Sequence, residues 1–96
     1  MAGSVTVTDN ADKQRFEAHL EAGELAGVLT YTRRDGVAVY PHTKVDRRFE
    51  GRGIGGVLVE AALDDARARG LKVDPVCPFI AAFIERTPEY KDLVAG

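Results

Sequence analysis

Between Glu50 and Gly70 the chain sets four glycines into six positions, Gly51, Gly53, Gly55 and Gly56, directly before a run of helix formers. Glycines without Cβ atoms let an anion approach the backbone, and the residues that follow, Val57 to Arg69, have helical composition. A glycine loop that feeds a helix is a seat for phosphate, because first-turn amides are unpaired and the helix dipole is positive there. Ile54, Val57, Leu58, Ala61 and Ala62 follow helical spacing and predict the apolar face. Glu60, Asp64, Arg67 and the Asp65/Arg69 pair should face solvent, and Gly70 should stop the helix.

The rest of the chain must build a domain around this unit. At 96 residues, 45% hydrophobic and 29% charged, residues 1–96 are expected to form a single globular domain with one modest core. Thirteen Lys and Arg against fifteen Asp and Glu leave a formal charge of −2, which gives no general pull toward nucleic acid or an anionic membrane. Met1 to Asn10 has neither a basic nor an apolar leader region, and no apolar run approaches the roughly 18–20 residues of a membrane span. The expectation is a cytoplasmic protein without a membrane partner. Cys77 is the single cysteine, so neither an internal disulfide nor a cysteine zinc site is available.

The first half reads as antiparallel strands. Val5–Thr8 and Arg15–Leu20 alternate apolar and polar residues, with Asp9 and Asn10 as turn formers between them. A third run, Leu25 to Thr32, has β-branched and aromatic residues at Val28, Thr30, Tyr31 and Thr32. Asp35-Gly36 predicts a hairpin turn into a fourth run, Val37–Val45, where Pro41 should mark a bulge or a lost ladder bond. After the glycine helix, Leu71–Val76 predicts a short strand parallel to the fourth run. Cys77-Pro78 should open a second helix, Phe79 to Arg86, and Thr87 should cap a last segment that carries Tyr90, Leu93 and Val94.

Taken together, His42-Thr43, Val45, Phe49-Glu50-Gly51-Arg52-Gly53-Ile54-Gly55, Pro75-Val76-Cys77-Pro78-Phe79 and Pro88-Glu89-Tyr90 resemble the GNAT superfamily of acetyl-CoA-dependent N-acyltransferases. The likeness is greatest to its very small single-domain members and extends over nearly the whole chain. It implies an α+β domain of minimal GNAT fold, with a mostly antiparallel sheet, one parallel βαβ unit and helices packed on it. It also implies acetyl-CoA as cosubstrate without a metal, Val45 beside the pantetheine arm, and a pyrophosphate on the amides of Gly51, Arg52, Gly53, Gly55 and Gly56. Glu50 departs from the family pattern, which has a basic or neutral residue there. Its side chain is expected to turn away while Arg47, Arg48 and Arg52 restore positive potential.

A rival spelling is present. Gly51-x-Gly53-x-x-Gly56 matches the dinucleotide fingerprint, with Asp74 about 20 residues on as the ribose-binding acid. Against it, Asp46 to Glu50 separate the strand from the first glycine, and an antiparallel first half cannot build a doubly wound sheet.

Cys77 falls between a strand and a helix start, where the dipole favours thiolate. Three roles stay open: a nucleophile that accepts the acetyl group, an unreactive pocket wall, or a small buried hydrophobe. His42 is its candidate partner as general base, set against a strand histidine with only local hydrogen bonds. Glu24 and Tyr40 are weaker candidates, and His19 reads as surface. Phe83 stands where many GNAT enzymes have an acidic tyrosine, and Tyr90 reads as a packing aromatic. By the same resemblance, helices after the first strand and further C-terminal strands are missing, so that either the acceptor site is open and weakly selective or a partner completes it.

The functional expectation is transfer of an acetyl group to an amine of a small molecule or protein lysine by a monomer or weak homodimer. The alternative is a non-catalytic module that binds or senses CoA.

Overall fold

The computed structural model describes residues 5–95; Met1 to Ser4, part of the stretch read above as leaderless, and Gly96 lie outside it. Strands β1 (Thr6–Asn10) and β2 (Arg15–His19) form the first hairpin, paired antiparallel from Thr6↔His19 to Asn10↔Arg15. Asp9 and Asn10, expected in the turn, end the strand instead. Only an extended Asp9 reaches the Tyr31 hydroxyl and the Arg33 guanidinium, so tertiary partners overrule turn preference. The turn falls on Ala11–Gln14, where Gln14 adopts a left-handed φ of 51°.

The third predicted run divides at Tyr31 into β3 (Leu25–Thr30) and β4 (Thr32–Arg34). The fourth divides likewise into β5 (Val37–Val39) and β6 (Thr43–Val45). Asp35 and Gly36 join them with φ of 53° and 78°, the pair of positive values that a tight primed turn requires. Thr32 opposes Val39 and Leu29 opposes Thr43, so three steps on one strand face four on the other. The extra residue is the bulge expected at Pro41. It splits one long hairpin between two sheets, ordered β1-β2-β3-β6 and β4-β5-β7, with β7 spanning Lys72–Asp74.

Helix α1 (Ile54–Ala68) starts at Ile54, so that Gly55 and Gly56 belong to its first turn. Its buried side chains are Ile54, Leu58, Val59, Ala62, Leu63 and Ala66; Val57, expected inside, is exposed, and Ala61 is only half-buried. Both stripes satisfy helical spacing, and the sheet chooses between them. Gly27 on β3 has no room for a Cβ, which would stand 3.0 Å from the Lys44 carbonyl and 3.1 Å from Leu58 Cδ1. That close approach seats Leu58, whose full burial contributes about 1.5–3 kcal/mol. Past the helix, the amides of Gly70 (φ 71°) and Leu71 bond the carbonyls of Arg67 and Ala66, closing the C-terminus as predicted.

Strand β7 runs parallel to β5, from Val37↔Lys72 to Val39↔Asp74. Helix α2 (Pro78–Arg86) follows, with Pro78 in its first turn, and then a 3₁₀ segment, Pro88–Leu93. The Thr87 hydroxyl makes no capping bond; its backbone (φ −130°, ψ 79°) turns the chain sharply, and the Tyr90 amide donates to the Thr87 main-chain carbonyl at 3.0 Å instead. Val94 returns beside Val73 as a parallel bridge, which the sequence did not suggest. Helix α1 packs on β1, β2, β3, β6 and β7, and α2 and the 3₁₀ segment pack on α1. The row Thr8–Glu17–Val28–Lys44 faces the other way and stays exposed or half-buried. The described residues therefore form an α+β fold, with α1 packed on the strands and α2 and the 3₁₀ segment against α1.

Candidate functional site

The two sheets part beyond Tyr40. Its amide bonds the Asp74 carbonyl and its own carbonyl accepts from Cys77 N–H at 3.0 Å, after which β6 pairs with β3 alone. Bonds from Thr30 N–H to the His42 carbonyl (2.9 Å) and from Asp46 N–H to the Ala26 carbonyl (2.7 Å) bracket the β3–β6 ladder. By antiparallel alternation, the His42 carbonyl, the main-chain groups of Lys44 and the Asp46 amide are spent on β3, while the main-chain groups of Thr43 and Val45 point into the gap.

At the outer end of that gap lies a groove of about 230 Å³, lined by Val45, Phe49, Glu50, Gly51, Gly53, Ile54, Gly55, Gly56 and Phe79. Gly51 (φ 84°) and Gly53 (φ 77°) hold left-handed conformations with open space where a Cβ would stand. Among the described residues, no hydrogen bond is donated by the amides of Gly51, Arg52, Gly53, Ile54, Gly55 or Gly56; Val57 N–H, to the Gly53 carbonyl, is the first satisfied. The four glycines do different things. Gly51 and Gly53 turn the chain, whereas Gly55 is buried under Phe79, whose ring atoms would lie 3.0 and 3.1 Å from a Cβ.

The arginines around the groove are not equivalent. Asp46 accepts from the Arg48 amide at 2.9 Å and from its guanidinium at 3.2 Å, which lowers the carboxyl pKa and commits the Arg48 charge. Arg52 lies 5.3 Å over the Phe49 ring, and Arg47 and Arg52 have no carboxylate partner among the described residues. Glu50, expected to turn away, is among the residues that line the groove.

Cys77 sits at the inner end, buried, as N-cap of α2. Its sulfur closes no capping bond of ordinary geometry; the thiol donates to the Thr43 hydroxyl oxygen across the gap, and amides from both sides bear on the sulfur. Burial pushes the thiol up; the amide of Ile80, the Thr43 hydroxyl at 3.7 Å, and the amides of Phe79 and Thr43 together outweigh it and leave the pKa lowered. The sulfur is thus poised toward thiolate, the nucleophilic form. Thr43, not His42, touches it. His42 is exposed, and among the described residues the one bonded group it contributes is its carbonyl.

Two tyrosines have structural duties. Tyr40 is buried and donates to the Ala62 carbonyl at 2.8 Å, and burial pushes its pKa up. Tyr90 donates to Asp64 at 2.8 Å and packs near Phe83 with ring centroids 6.3 Å apart. Sequence reasoning missed the duty of Thr43, though strand alternation with Val45 was a signal for it. Among the described residues there is no group of three metal-ligating side chains, and no helix long and apolar enough to cross a membrane.

Residues 15–93 match the family described as GCN5-related N-acetyl-transferase. No curated protein matches the chain. Among solved structures, a Staphylococcus aureus protein described as GCN5-like superposes with a TM-score of 0.72 at 24% identity, covering 95% of this chain and 88% of its own. Ard1 from Thermoplasma volcanium superposes with a TM-score of 0.61 at 19% identity, covering 79% of this chain and 55% of its own. At these identities the two likenesses establish the fold.

Proposed function

The chain belongs to the GCN5-related N-acetyltransferase family, and from that premise we propose that it carries an acetyl group from acetyl-CoA to an amine by way of Cys77. The observation that carries this reading is the run of unpartnered amides from Gly51 to Gly56 at one groove, with the Cys77 sulfur farther in along the same gap, beside Thr43. These amides, those of Gly51, Arg52, Gly53, Gly55 and Gly56 foremost, hold the pyrophosphate. The free main-chain groups of Val45 take the amides of the pantetheine arm as an added strand would.

In the first step the Cys77 thiolate attacks the thioester carbonyl; a sulfur–carbon bond forms to Cys77 and the bond to the CoA sulfur breaks, releasing CoA thiolate. One thiolate replaces another, so no proton moves. This accounts for Phe83 at a position where an acid would otherwise serve. In the second step the amine nitrogen attacks acetyl-Cys77, the amide forms, and Cys77 leaves as thiolate while the nitrogen loses its proton to His42 or through water. The acceptor is a small-molecule amine or protein lysine, and the protein acts as a monomer or weak homodimer in the cytoplasm.

Intact-mass measurement after exposure to acetyl-CoA alone tests the route. An acetyl adduct on Cys77 that moves to added amine supports it, and undiminished turnover by Cys77→Ala removes it. CoA bound without release from acetyl-CoA, across polyamines, amino acids and lysine peptides, would instead leave a binding or sensing module.

A further inference from the structure

We propose that Thr43 is the positioning residue for Cys77: its hydroxyl, 3.7 Å from the sulfur across the gap, holds Cys77 as a thiolate before attack and again as it departs from the acetyl group. The inference rests on the covalent route above.

Four donors surround the sulfur, and three of them are amides fixed in place by β6 and the first turn of α2. Amides can only donate. The Thr43 hydroxyl rotates, so it accepts from the neutral S–H and donates to the charged sulfur, serving both states through which Cys77 must pass. It is also the one donor that a side-chain change can remove. Thr43 and Val45 point the same way from one edge strand, so valine is at home there and would leave the backbone and its amide donor as they are. Without the hydroxyl, burial of the sulfur is opposed by the amides alone.

The single cysteine gives a clean readout, because every alkylation event reports on Cys77. Iodoacetamide rates against pH should shift to higher pH in Thr43→Val, with a loss of about tenfold at neutral pH, the size expected for one charged hydrogen bond. Thr43→Ser should restore the profile. Thermal melts that match the wild type exclude unfolding as the cause. A Thr43→Val profile that superposes on the wild type overturns the proposal, even where acetyl-Cys77 forms normally. A shifted profile in a protein that acetyl-CoA never acetylates supports Thr43 as the thiolate's holder and removes the covalent route instead.

Discussion

The ring of Phe79 covers Gly55, so closely that a Cβ on Gly55 would stand 3.0 Å from Cζ and 3.1 Å from Cε2. Phe79 is 43% exposed, which lets its ring swing outward toward the groove when pushed. In Gly55→Ala the gain in helix propensity, about 1 kcal/mol, offsets most of the crowding. Thermal stability should change little while the displaced ring narrows the groove and weakens acetyl-CoA binding in calorimetry. Adding Phe79→Ala should recover affinity; a single variant that binds as the wild type would place the nucleotide elsewhere.

Gly53 tests the anion seat directly. Any side chain there carries left-handed strain of about 1–2 kcal/mol, because φ is 77°, although a Cβ would meet nothing. Gly53→Gln and Gly53→Glu share that strain and nearly the same shape. Equal losses of stability are expected, with acetyl-CoA affinity falling at least about tenfold further in the Glu variant, since only its carboxylate repels phosphate. Equal affinities would argue against the loop.

Tyr40→Phe removes a buried hydrogen bond to the Ala62 carbonyl and should destabilise the domain by about 1 kcal/mol in urea titrations. The pH profile of amine acetylation should not move. Loss of the rise in rate with pH would mean that Tyr40 takes the proton after all.

Asp9 should govern part of the acid limb of stability. It accepts from the Tyr31 hydroxyl, from Arg33 at 3.0 Å and from Arg69 at 3.4 Å. Burial raises its pKa, but those partners win and lower it below the ordinary carboxylate value. A depressed folded pKa means that the stabilisation is complete above the unfolded value of about 4 and is lost as pH falls through the folded one. Asp9→Asn should therefore lower stability at pH 7 and flatten its decline below about pH 4. A parallel pair of stability curves would assign the acid limb to other groups.

The second hairpin turn, the stop of α1 and the glycine loop were legible in the residues themselves, because each depends on local backbone preference; the first turn, expected at Asp9-Asn10, was not, because tertiary partners hold Asp9 extended. Asp35-Gly36 took its positive φ values, Gly70 closed α1, Pro78 opened α2, and Pro41 produced the bulge. Local chemistry also marked Cys77 as a helix N-cap and Gly51 to Gly56 as free amides. It could not say which stripe of α1 turns inward, since two stripes share the same periodicity and only the approach of Gly27 to Leu58 separates them. Nor could it pair Thr43 with Cys77, which stand 34 positions apart and meet only because the bulge sends β5 and β6 to different sheets. Short-range conformational energy is written into neighbouring residues; contacts across the gap exist only once the whole chain has closed around it.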